Sequence, residues 1–176
     1  MQCKKALEEA AGDMDKALVI LKKHAVSTAE KKADRELGAG VVEAYIHSNH
    51  EIGAMVELLC ETDFVAKNDE FVSLARELAM QVAATNPSGV TREDINPDSV
   101  KVAEEVYRKE AEKKPKEVQA KIIEGKLNSY FKEGVLLEQS YIKDPDRTIK
   151  DLIETATQKF GEKITVSRVA RFSVRR

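Results

Sequence analysis

Apolar residues along this chain follow two periods, and the places where one gives way to the other divide it into elements. The first 26 residues repeat at helical spacing, broken at Ala11-Gly12-Asp13, where Gly12 ends one helix and Asp13 caps the next. The second helix carries Met14, Ala17, Leu18 and Leu21 on one face. Two short helices bury too little area for an independent core, so this hairpin reads as part of a larger helical unit or as docked elsewhere. Residues 27–38 are charged and Ala-rich, a solvated helical linker that Gly38-Ala39-Gly40 ends. Period two takes over in residues 41–47 and 52–61, the second run aligning Ile52, Ala54, Val56, Leu58 and Cys60, and Ser48-Asn49-His50-Glu51 turns the pair into a hairpin.

Helical spacing then returns. Asn68 caps a helix carrying Phe71, Leu74, Ala75, Leu78 and Val82, which Asn86-Pro87-Ser88-Gly89 stops. Asn96-Pro97 and Pro115 open two further helices, with Val100, Ala103, Val106 and Tyr107 on the first and Val118, Ile122, Leu127, Tyr130 and Phe131 on the second, an antiparallel pair. Val135-Leu136-Leu137-Glu138-Gln139 reads as a short extended segment, and Thr148 with Asp151 as the capping box of a last helix that runs to Gly161. Residues 164–174 alternate, placing Ile164, Val166, Ala170, Phe172 and Val174 on one face with Arg168 as the interruption. With no crossover helix to tie it in parallel, this run predicts the third strand of an antiparallel sheet. The class is α+β: a small antiparallel three-stranded sheet packed with helices (residues 39–176), preceded by a partial helical domain (1–26) and a helical linker (27–38).

Composition narrows the function. Twenty-nine Lys and Arg against 31 Asp and Glu leave a net charge of -2 in 176 residues, which argues against a surface built throughout to hold phosphate backbones. No apolar run approaches the roughly 18 residues of a membrane span. The opening Met-Gln-Cys-Lys-Lys runs on to Glu8 and Glu9, unlike a signal or transit peptide, so a cytoplasmic location is expected. Cys3 and Cys60 are far apart and suit reduced thiols.

Most candidate chemistry has a plain reading. Gly38-Ala39-Gly40 begins like a dinucleotide fingerprint, but the sixth position is Glu43, and neither GxxxxGK[ST] nor GxSxG occurs. His47, His50 and Glu51 sit across a hairpin turn with no second ligand cluster, a weak basis for a metal-dependent hydrolase. Lys163, Arg168, Arg171, Arg175 and Arg176 collect near the end around Phe172. They suggest either charges that protect an edge strand or a nucleic-acid-binding module, and net charge favours the first. The informative segment is Thr62-Asp63-Phe64-Val65, between a strand and a capped helix. On that tight connection Phe64 either folds back onto the core, the commoner fate of a Phe, or points outward as a rigid apolar anchor beside a carboxylate.

Around these residues the chain resembles the elongation factor Ts family, in Cys3-Lys4-Lys5-Ala6-Leu7-Glu8-Glu9-Ala10, Lys31-Lys32-Ala33-Asp34-Arg35, Val56-Glu57-Leu58, Thr62-Asp63-Phe64-Val65, Glu124-Gly125-Lys126-Leu127, Leu136-Leu137-Glu138-Gln139 and Gly161-Glu162. Ser140, Leu59, Lys163 and Ser167 depart from the family's usual Pro, Asn, Asn and Arg. The resemblance implies that the N-terminal hairpin is the remainder of a ubiquitin-associated-like three-helix domain, so that a further helix and a Gly-containing turn are expected ahead of Met1. It implies the short family form, with one core module where long members carry two, pairing as a homodimer. The implied function is guanine-nucleotide exchange on elongation factor Tu during translation, with no enzymatic step, cofactor, metal or direct nucleic-acid binding. By resemblance the Phe matched by Phe64 enters a pocket between histidines of the partner, with Asp63 beside it and Thr62 and Val65 in the same contact. Met1 and Lys4 match residues that dock on a partner helix.

Overall fold

The computed structural model describes residues 2–112 and 114–174, leaving Met1, Lys113, Arg175 and Arg176 outside the description. Helix α1 (Gln2–Glu9) turns back into α2 (Met14–Lys32), and Asp13 caps α2 by accepting a hydrogen bond from the Lys16 N–H at 3.1 Å. The contact between the two is small-sided: Ala6, Ala10 and Ala17 are its buried residues, with Leu7, Ile20 and Leu21 partly covered. Of the expected α2 face, Ala17 and Leu21 turn inward while Met14 and Leu18 are exposed. Residues 27–32, expected as a linker, continue α2 without a break, so one rod serves both the hairpin and the main body.

That rod ends at Lys32, well before Gly38. The Gly38-Ala39-Gly40 run is therefore no helix stop: Gly40 lies within β1 (Ala39–Ile46), where a Cβ would approach the Leu58 carbonyl oxygen to 2.5 Å. Strands β1 and β2 (Ile52–Cys60) pair antiparallel, and the C-terminal strand adds to the other edge of β2, so β2 is central in the three-stranded sheet. Helix α4 (Asp69–Thr85) lies across one face of this sheet. Phe71, Ala75, Leu78 and Val82 of α4 meet Ala54, Val56, Leu58 and Cys60 of β2, and Phe160 stacks edge-on to Phe71 with ring centroids 5.9 Å apart. Between β2 and α4 runs the single turn α3 (Asp63–Ala66).

Helices α5 (Pro97–Ala111) and α6 (Lys116–Gly134) pack on each other as the two proline-opened runs predict. The next segment departs from expectation. Leu136–Glu138 forms a 3-10 turn, not an extended run, because only its start is bridged to the Gly89 strand-like segment. A small hairpin of β3 (Ser140–Tyr141) and β4 (Asp144–Thr148) follows, too short and polar to register as alternation. It leads into α7 (Ile149–Phe160), opened by the expected Thr148/Asp151 capping box. α7 packs on the C-terminal half of α2, joining rod to core.

The last strand, β5 (Thr165–Ser173), corrects the sequence reading most sharply. Leu58 pairs with Val166 but Glu57 pairs with Arg168, so Ser167 is an extra residue in the ladder. One inserted residue exchanges the two faces. Val166 points to the core and Val169 packs against it, whereas Arg168, Ala170, Phe172 and Val174 face outward, with Phe172 72% exposed. The five residues expected on one face are thus divided, and the sheet's outer side gathers Val42, Ile46, Met55, Phe172 and Val174.

Candidate functional site

Strand β2 delivers the chain to the site at Cys60, whose side chain is buried and donates to the Thr62 carbonyl at 3.3 Å; burial raises its thiol pKa above the ordinary value. Beyond it, α3 makes a single turn. Successive helical residues are about 100° apart, so once Val65 and Ala66 turn into the core, Asp63 and Phe64 face solvent. Phe64 is 84% exposed and Val65 4%. The core reading of Phe64 fails, and among the described residues no large apolar side chain is more exposed.

Both flanks of this turn are fixed. On one side only Lys67 and Asn68 separate α3 from α4, and Asn68 Oδ1 accepts from the Glu70 N–H at 2.9 Å. On the other, the Thr62 hydroxyl does not cap α3 but donates to Glu162 at 2.5 Å. Asp63 and Lys67 form an ion pair at 3.4 Å between two well-exposed side chains, a pair worth little in water. The result is an apolar ring held outward on short, regular connections, with a carboxylate beside it.

Lys4 lies on α1, exposed, 3.8 Å from Glu8, on an element apart from α3. Met1, the other residue matched in that domain, lies outside the described residues. The basic C-terminal set is committed internally: Arg168 pairs with Glu57, Arg171 donates to the Ala83 carbonyl at 2.9 Å, and Lys163 Nζ donates to the carbonyls of Ala33 and Arg35 at 2.6 and 3.0 Å. Arg175 and Arg176 are outside the described residues. In the β1–β2 turn the His47 ring already bonds the Tyr45 hydroxyl at 3.0 Å, and among the described residues no three His, Cys, Asp or Glu side chains converge as a metal site. Nor, among them, is any helix long and apolar enough to cross a membrane.

A family model described as Elongation factor TS matches residues 25–176. The chain belongs to the elongation factor Ts family. Elongation factor Ts of Carboxydothermus hydrogenoformans is 51% identical over 176 residues, covering 99% of this chain and 81% of that protein. Those of Thermodesulfovibrio yellowstonii and Thermotoga petrophila are each 49% identical, covering 99% of this chain and 87% of theirs. As an elongation factor Ts family member the chain is a translation elongation factor, and the relatives' similarity extends over α1 and the first part of α2, which the family model leaves out.

A residue that the sequence reading passed over also belongs to this site. Glu162 was visible only as half of a Gly-Glu dipeptide after α7, and nothing in its local pattern points to a loop 100 positions earlier. Its partners emerge only when the sheet closes.

Proposed function

We propose that this chain is a guanine-nucleotide exchange factor that binds elongation factor Tu and promotes release of GDP, with Phe64 as the inserted anchor. The observation that carries this reading is the rigid outward presentation of Phe64 on a turn whose neighbour Val65 is core. Asp63 lies beside the anchor as a carboxylate for the partner's polar groups, Thr62 holds the approach to the turn, and Val65 supports it from beneath. Lys4, and Met1 by resemblance, supply a second contact from the N-terminal domain.

Such a factor needs no covalent chemistry, and no cofactor or metal enters. It works by coupling: binding the nucleotide-free partner more tightly than the nucleotide-bound partner weakens nucleotide affinity by the same ratio, and a coupling of about 1–3 kcal/mol already changes affinity roughly 5–150-fold. Rebinding nucleotide expels the factor in turn. The internal engagement of Lys163, Arg168 and Arg171 counts against the alternative of a nucleic-acid-binding strand, which would lose affinity steeply with salt.

The short form works as a cytoplasmic homodimer in this reading. The apolar outer side of the sheet, with Val42, Ile46, Met55 and Phe172, is the surface suited to self-association. The deciding experiment is release of labelled GDP from a bacterial elongation factor Tu with and without the chain. Acceleration that rises with added chain is expected, and an unchanged rate would refute the proposal.

A further inference from the structure

The anchor turn is tied to the rest of the molecule by a crossed pair of glutamates. Gly161 closes α7 with φ +74°, a conformation that favours glycine, and so turns Glu162 back toward the end of β2. One carboxylate oxygen of Glu162 accepts from the N–H groups of Glu61 and Thr62 at 3.1 and 3.0 Å, and the other from the Thr62 hydroxyl at 2.5 Å. In return Glu61 accepts from the Lys163 N–H at 2.6 Å and from Arg35 at 3.2 Å. Lys32 Nζ donates to the Gly161 carbonyl at 2.5 Å. The loop before Phe64, the turn after α7 and the end of the α2 rod therefore meet at one junction.

Resting on the exchange-factor reading above, we infer that Glu162 is the positioning residue of the Phe64 anchor. In this role it acts through Thr62 and the backbone entering α3. Three donors from two adjacent residues converge on its carboxylate, which fixes the backbone entering α3, while Val65 and Ala66 fix the underside. Removing it leaves Phe64 attached to core below but free to swing at its N-terminal side. The anchor is then competent in only a fraction of molecules, and apparent affinity falls by that fraction while the fully bound complex is unaltered. A competent fraction of about one tenth raises half-saturation about tenfold.

The test is GDP release from elongation factor Tu measured across a titration of the full chain, for wild type, Phe64→Ala, Glu162→Ala, Glu162→Gln, Thr62→Val and the Glu162→Ala/Thr62→Val double variant, with melting curves for each. Wild type that leaves GDP release unchanged would sink the exchange reading; Phe64→Ala is expected to abolish acceleration, and if it does not, the anchor and with it this assignment fall. With Phe64→Ala inactive, Glu162→Ala should raise half-saturation about tenfold with the limiting rate retained. Glu162→Gln keeps an oxygen for the two N–H groups and an amide for the Thr62 hydroxyl, and should recover most of the loss. Thr62→Val should act in the same direction and add little to Glu162→Ala, because the two share one interaction. Wild-type titration by Glu162→Ala, additive effects in the double variant, or Glu162→Gln as impaired as Glu162→Ala would overturn the assignment. If Glu162→Ala does not fold, Thr62→Val decides, and its wild-type titration overturns it.

Discussion

Phe64 and Val65 are adjacent in sequence and opposite in environment, so their truncation separates binding from folding. Phe64→Ala removes an exposed ring, and its melting temperature should match wild type, as surface substitutions usually stay within about 0.5 kcal/mol. A strongly lowered melting temperature would show the ring to be structural. Val65→Ala removes buried methyl groups and should cost about 1.5–3 kcal/mol in denaturant unfolding. Two glutamates titrate with opposite consequences. The Lys163 N–H, and then Arg35, hold Glu61 below the ordinary carboxylate range, so its contribution to stability is present above the unfolded pKa and is lost as pH falls through the lower folded value. Glu61→Gln should therefore lower the melting temperature at neutral pH, with the gap closing in acid. Glu154, buried on α7, has its pKa raised chiefly by desolvation, so ionising it opposes folding as pH rises. Glu154→Gln should raise the melting temperature at pH 7 and make little difference below the carboxylate range.

At the scale of elements, caps and breakers were the legible signals. Asn68, Asn96-Pro97, Pro115 and the Thr148/Asp151 box begin helices where the pattern places them: the Asn and Thr side chains accept from donors that a helix start must leave unpaired, and the prolines bring a φ already suited to the first turn. What the pattern hides is pairing between distant segments. Ser167 is an ordinary strand residue by propensity, and its role as an insertion is defined by β2 across the ladder. A count of alternation assumes an unbroken register, so every face assignment beyond Ser167 inverts. The same limit applies to the site: Thr62, Asp63 and Phe64 were legible as a short connection between strong elements, but the outward direction of Phe64 depends on Val65 finding the core, and Glu162 depends on α7 returning to the sheet. Deleting Ser167 would leave Val166 opposite Leu58 and Arg168 opposite Glu57 in an unbroken ladder, so Phe172 should stay outward and the cooperative melting transition seen by circular dichroism should persist.

For the molecule as a whole, the proposed homodimer places association on the outer side of the sheet. Light scattering at micromolar concentration is expected to give about twice 19.6 kDa, and Phe172→Glu to give the monomer mass with an unchanged circular dichroism spectrum. A wild-type monomer mass throughout dilution would refute dimerisation. Stability is also unevenly distributed along the length of α2. Its C-terminal half packs on α7, whereas its N-terminal half is held to α1 through Ala6, Ala10 and Ala17, whose single methyl groups have little shape to interlock. With so little buried side-chain surface holding it, α1 is expected to open from α2 at a lower free energy than the sheet core unfolds. The same looseness exposes peptide bonds: a protease at limiting concentration should cut first within the hairpin, leaving the sheet, with Phe64 still projecting from it, as the surviving fragment.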